Sequence, residues 1–312
     1  MAYDTMRDSD CVEMALFERY SSVLRPSSFV RFSGAPGVSE LRRRLEILNG
    51  GPLQEAPRTP IIRPTVPVPA RPQSPPGRSL EEIVPGTILD LDDGAACWLV
   101  ERPARDVADW CPAMIERIER VFSSERLNTL AQAIQFRGAL RLRDLLFLDL
   151  ETTSLSGAPL FLIGTLQWEE RGLIARQYLA RGFEEEVAAI AAFAAAIPRF
   201  RAMVTFNGKS FDAPYLRQRA SATGVRLRCP RAHLDLLIPA RQRYSGSLPN
   251  CRLQTLEHHL CGRKREGDIP GRDIPAAYHQ YVATGDATRI AVILEHNLLD
   301  LITMVDLLDR LV

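Results

Sequence analysis

Two acidic residues one position apart, Asp149 and Glu151, close a run of large apolar residues, Leu145-Leu-Phe-Leu-Asp-Leu-Glu-Thr-Thr153. Side chains in a strand alternate between faces, so the pair shares one face at the strand's end. Carboxylates that close repel unless they share a proton or a cation, and hard divalent ions such as Mg²⁺ or Mn²⁺ take carboxylate oxygen. By itself the pair reads more readily as a buried strand running into a polar turn, so the chemistry needs partners from elsewhere in the chain. Two stretches offer them. Asn207-Gly-Lys-Ser-Phe-Asp212 follows a short apolar run and sets Asp212 at a helix start. Glu295-His-Asn-Leu-Leu-Asp300 sits in a long helical pattern, with His296 and Asp300 four residues apart and therefore on one face. Brought together, Asp149, Glu151, Asp212 and Asp300 would serve two hard cations roughly 3.5–4 Å apart, the arrangement that clamps an in-line phosphoryl displacement.

The elements that must position these residues can be read from periodicity and turn chemistry. The apolar run within 145–155 reads as a strand that ends at the two acids; 160–168 and 173–179 give two more, the second reached through the turn at Gly172. An Ala-rich helix opens on Glu184, Glu185 and Glu186, acids at the positive end of its dipole, and stops at Pro198. A short strand at 203–206, a helix through 215–222 and a strand at 231–235 follow, then helices at 253–260, 276–283 and 286–311. The order β-β-β-α-β-α-β-α predicts an α/β fold: a ribonuclease H-like mixed five-stranded sheet with helices on both faces. Asn207 is expected to tie its turn through side-chain hydrogen bonds and Gly208 to free the backbone there. Asp235 reads as a helix cap or a support rather than a ligand.

The three acidic motifs, Asp149-x-Glu151, Asn207-x-x-x-Phe211-Asp212 and His296-x-x-x-Asp300, resemble the signatures of the DEDD 3′-to-5′ exonuclease superfamily. With Leu248-Pro-Asn-Cys-Arg-Leu-Gln-Thr-Leu-Glu257 and Asp268-Ile-Pro-Gly271, the stretch at 146–153 is similar to the YprB-type ribonuclease H-like proteins, over roughly residues 86–312. The resemblance implies a metal-dependent phosphodiesterase, a 3′-to-5′ exonuclease working on DNA or RNA and releasing nucleoside 5′-monophosphates. It makes Asp149, Glu151, Asp212 and Asp300 the ligands of two Mg²⁺ or Mn²⁺ ions and His296 the group that orients or deprotonates water. Thr152, Asn207, Lys209 and Phe211 become candidates for contacting a single-stranded 3′ end. Typical members have Tyr-x-x-x-Asp or His-x-x-x-x-Asp, whereas this chain combines the histidine of one with the spacing of the other. Glu295 fills the alternative slot. The competing function is a ribonuclease H-like module that binds nucleic acid with little or no catalysis.

Composition sets the frame. The 312 residues are 46% apolar and 25% charged, with a net charge of +1, so nucleic-acid affinity must come from local clustering. One such cluster is legible: ten Lys or Arg against two acids between 199 and 243, with Arg263, Lys264 and Arg265 as a second basic loop. No run approaches the roughly 20 apolar residues that cross a bilayer, no signal core opens the chain, and six cysteines lack paired spacing, which together predict a cytoplasmic protein with reduced thiols. Cys229, His233, Cys251, His258, His259 and Cys261 are zinc-ligand types at spacings that match no standard finger.

Four segments are expected. Residues 1–51 hold short helices at 12–24 and 40–48. Residues 52–85, with ten of the 22 prolines, form an extended linker. A hairpin around Asp93-Gly94 and a helical lead-in occupy 86–143, and the ribonuclease H-like domain runs from 144 to 312. The first two segments also offer a recruiting surface for a protein partner.

Overall fold

The computed structural model describes residues 77–312, apart from 92, 93, 123, 155 and 156. The helices expected at 12–24 and 40–48 and most of the proline-rich stretch lie outside the described residues.

A helical turn, α1 (Leu80–Ile83), comes first, at the end of the stretch expected as linker. Its Leu80 is buried. The hairpin follows as β1 (Thr87–Asp90) and β2 (Ala96–Pro103), with Gly94 at φ 80° in the turn, where a side chain would be strained. The helical spacing at 113–136 resolves into α2 (Cys111–Val121) and α3 (Ser124–Ala133). Next come β3 (Leu145–Thr152), β4 (Leu160–Glu169), β5 (Gly172–Leu179), α4 (Glu186–Ala196), β6 (Ala202–Thr205), α5 (Asp212–Ala222) and β7 (Ala232–Asp235). Four helices finish the chain: α6 (Leu237–Tyr244), α7 (Leu253–Cys261), α8 (Ile274–Thr284) and α9 (Thr288–Leu311). Helix α6 was not expected; Pro239 stands in its first turn, where no amide partner is needed.

The strands form one sheet in the order β1-β2-β5-β4-β3-β6-β7, seven strands rather than five. The expected five are its core. The hairpin extends it because β2 pairs antiparallel with β5 from Trp98↔Leu179 to Pro103↔Ile174, covering what would otherwise be an open edge. β3 pairs antiparallel with β4 and parallel with β6, and β6 parallel with β7, so the sheet is mixed.

Alternation along β3 separates two buried clusters. Leu146, Leu148 and Leu150 join one with α4, α5 and α8; Leu145 and Phe147 join the other with α2, α3, α6 and α7. Ile290, Ile293 and Leu294 of α9 belong to the first, and Leu298, Leu301 and Ile302 to the second. The far end of α9 is anchored by ions. Asp306 pairs with Arg117 of α2, Arg263 and Arg310, while Asp309 pairs with Arg117 and, at 2.9 Å, with Arg126 of α3. Arg263 also lies 4.0 Å over the Trp110 ring. Among the described residues no helix is long and apolar enough to cross a membrane.

Candidate active site

Asp149 and Glu151 continue the row of Leu145 and Phe147 to the end of β3, where the register slips between Glu151 and Thr152. Asp149 stands opposite Gly164 on β4, and Gly164 opposite Gln177 on β5. Helix α9 drops Asn297 into the gap that the glycine leaves. A Cβ on Gly164 would fall inside the Asn297 carboxamide. Asn297 Nδ2 donates to Asp149 Oδ2 at 2.8 Å, and Gln177 Nε2 donates to Asn297 Oδ1 at 2.9 Å and to the Leu294 carbonyl at 2.7 Å. A donor on one side fixes which end of the carboxamide faces the acid.

Asp212 opens α5, which the turn after β6 brings to the same end of the sheet. The turn is tied differently from expectation. Asn207, exposed, takes φ 65°, and its backbone rather than its side chain makes the bonds: its N–H donates to Asp235 Oδ1 at 2.7 Å, and its carbonyl accepts from Ser210 and Phe211. Gly208 does not supply the left-handed residue; a side chain there would collide with Thr205. Asp235, 3% exposed, also accepts from the Lys209 and Leu237 amides at 3.0 and 3.1 Å, so its oxygens hold backbone. Lys209 is exposed, Phe211 half-buried against Tyr215, and the buried Thr152 donates to the Ser154 carbonyl at 2.9 Å. Tyr215 donates to the Ser154 and Ala158 carbonyls, pinning the loop beyond β3.

The four acids feel one another. Burial first, then the charges of Asp300, Glu151 and Asp212, push Asp149 well above the ordinary carboxylate range, against its bond from Asn297. Burial, then Asp300, Asp212 and Asp268, do the same to Glu151. Asp212 is pushed up to about 7, chiefly by burial, with backbone amides pulling the other way. Burial raises Asp300 against the pull of Arg265 and His296. A group of acids destabilised by each other's charge wants protons or cations.

Asp149 and Asp300 also have protein partners, Asn297 and Arg265. Arg265, its side chain 6% exposed, sits between Glu257 at 2.7 Å and Asp300 at 2.6 Å, so the expected basic loop is largely a buried counter-ion. The Asp300 pair is close yet poorly aligned: Asp300 Oδ1 and Arg265 Nη2 both lack a hydrogen bond. Among the described residues no three His, Cys, Asp or Glu side chains are arranged to hold a metal ion. The donor set itself suits a hard cation, being carboxylate throughout.

His296 faces this cluster. It is 8% exposed, with Nδ1 2.7 Å from Asp268 Oδ1 and Nε2 3.6 Å from Asp300 Oδ2. Glu295, the alternative slot, turns away to an ion pair with Arg102 of β2 at 2.7 Å. The 199–243 stretch divides. Arg199, Arg201 and Arg219 pair with Glu169, Asp144 and Glu186. Lys209, Arg217, Arg226, Arg228, Arg231 and Arg241 are exposed without an ion pair among the described residues. Beside the Asp212 turn lies a cleft of about 450 Å³ lined by Phe206, Asn207, Leu237, Arg241, Asn250 and Arg252, among others. His233 bonds to Thr205 Oγ1 at 2.8 Å.

Sequence reasoning missed Asn297, Gly164 and Gln177, and quoted Asp268 without a role. A glycine inside an apolar strand and an asparagine inside a buried helix were the available signals.

The family model described as the RNase_H superfamily matches residues 146–312, just over half of the chain. The chain belongs to the RNase_H superfamily. Its α/β mixed sheet is that family's nuclease-type fold. A relative, the YprB protein of Bacillus subtilis (strain 168), is 28% identical over 197 residues, 61% of this chain and 47% of that protein. The chain thus spans about half the length of YprB. Among solved structures, the family B DNA polymerase of the hyperthermophilic archaeon Pyrobaculum calidifontis aligns with TM-score 0.45 and 19% identity, over 55% of this chain and 25% of that one.

Proposed function

We propose that the chain is a divalent-metal-dependent nuclease that shortens DNA or RNA from a 3′ end and releases nucleoside 5′-monophosphates. The observation that carries this is the arrival of four carboxylates from three separate elements at one end of the sheet: Asp149 and Glu151 at the end of β3, Asp212 opening α5, and Asp300 on α9, whose Asn297 reaches Asp149. These carboxylates would hold Mg²⁺ or Mn²⁺. Bound there, such ions supply a Lewis acid for the phosphoryl oxygen and lower the pKa of water.

The chain's own residues do the rest. Asn297 keeps one Asp149 oxygen turned toward α9. His296 Nε2 is the nitrogen on the carboxylate side and would take the proton of the attacking water. Arg241 and Arg252, at the rim of the cleft beside Asn207, would hold backbone phosphates, with Phe206 and Leu237 as an apolar floor for a base.

Digestion of matched 5′-labelled single-stranded DNA and RNA with Mn²⁺, Mg²⁺ or EDTA tests the reading. A metal-dependent ladder shortening from the 3′ end, absent in Asp149→Ala/Glu151→Ala, is expected; digestion that persists in the double variant overturns it. One observation favours a second reading, a nucleic-acid-binding module with little turnover: Arg265 already pairs with Asp300. That reading predicts salt-sensitive binding without product.

A further inference from the structure

We infer that Asp268 is the positioning residue for His296, fixing which imidazole nitrogen is presented to the carboxylates; the inference rests on the nuclease reading above for its kinetic consequence, though not for its geometry. Asp268 lies on the loop between α7 and α8, remote in sequence from His296. Its Oδ1 is 2.7 Å from His296 Nδ1 and accepts the Ile269 amide at 2.9 Å. Its Oδ2 accepts from Gln254 Nε2 at 2.8 Å and faces Arg265 Nη1 at 3.4 Å. The carboxylate is therefore oriented from both sides before it meets the imidazole.

A carboxylate surrounded by donors is an acceptor, so the nitrogen it meets must carry the hydrogen. Nδ1 is that nitrogen. In the neutral ring Nε2 is left without hydrogen, and Nε2 is the atom on the Asp300 side, 3.6 Å from Oδ2. Without Asp268 nothing in this geometry selects that tautomer, because His296 makes its close contact through Nδ1 alone.

The same pair accounts for the unusual His296-x-x-x-Asp300 spacing. At i and i+4 the two side chains stack on one face of α9, whereas a histidine one residue earlier would be turned by about 100°. Residue 295 shows where that leads: its side chain reaches Arg102 instead. With the spacing shortened, one nitrogen of the ring faces Asp300 and the other meets a loop carboxylate.

The test is ¹⁵N NMR of the metal-free full chain labelled at histidine, with the His296 signals assigned by His296→Gln, at a pH where the ring is neutral. The Nδ1–H form is expected in the wild type; an Nε2–H form overturns the inference whatever any variant does. Asp268→Ala is expected to move the ring toward Nε2–H and to lower kcat for oligonucleotide cleavage on the order of a hundredfold, with KM within about twofold. Circular dichroism and the thermal midpoint establish that this variant is folded, and an unchanged tautomer or kcat in the folded variant overturns the inference. Digestion that survives Asp149→Ala/Glu151→Ala would remove the nuclease reading while leaving the tautomer result to stand or fall by itself.

Discussion

The Asn297 carboxamide fills the space that any side chain on Gly164 would need, so the glycine of β4 and the asparagine of α9 exist as a pair. Gly164→Ala would push Asn297 off Asp149 and break the Gln177–Asn297–Asp149 chain of hydrogen bonds. The expected cost is about 1–3 kcal/mol of stability from overpacking, read by denaturant unfolding, together with a fall in cleavage. Asn297→Ala should relieve the clash in the double variant without restoring cleavage, because the clamp on Asp149 is still missing.

Clustered acids predict an inverted pH dependence for the metal-free chain. Asp212 is raised in the folded state to about 7 from an ordinary 3.8, so as pH falls through 7 the native state binds protons that the unfolded chain does not. Stability should rise as pH drops from 8 toward 5, by up to about 1.4 kcal/mol per pH unit for each proton taken up, and level off near 4. Urea midpoints across that range measure it. A midpoint that falls with falling pH would refute the coupling. Saturating Mn²⁺ should flatten the profile.

Arg265 is the cation on which the metal-free arrangement depends. Arg265→Met leaves Glu257 without its 2.7 Å partner and Asp300 without its neighbour, both inside the protein. Breaking a buried pair from one side costs about 3–5 kcal/mol. Thermal unfolding should show the loss, and added Mg²⁺ should recover part of it if Asp300 joins a cation site.

The arginines between 199 and 252 should fall into two classes. Arg241→Ala and Arg252→Ala leave the fold intact and weaken oligonucleotide binding, each lowering the salt slope of binding by about 1. Arg219→Ala strands the buried Glu186, which also accepts the Leu160 amide at 2.8 Å, and should appear in unfolding rather than in binding. Fluorescence anisotropy at several salt concentrations separates the classes.

How much of this was legible in the sequence follows from what sequence periodicity encodes. The strands of the core and the elements bearing Asp149, Asp212 and His296 could be read because apolar alternation and turn residues are local. The pairing of the hairpin with β5 could not, since Trp98↔Leu179 is a contact between distant stretches with no local signature. Charge sign was legible and charge partner was not. Arg219 and Arg265 looked like free cations of a binding face, yet each is tied in an ion pair, to Glu186 and to Asp300. Asn207 was expected to act through its amide side chain; a left-handed backbone satisfied by Asp235 does that work, and only the tertiary approach of β7 reveals it.

The ion cluster on Asp306 and Asp309 has a consequence for the opposite end of α9. Asp306 lies ten residues beyond His296, about 15 Å along the axis, and is gripped from α2 and from the loop after α7. A rod held by arginines on two sides cannot spin, and spin is the degree of freedom that would swing His296 and Asp300 away from β3. The acids at the tail thus behave like a key in a slotted shaft. Replacing Asp306 with Asn should broaden the His296 imidazole resonances although no atom of the substitution comes near them.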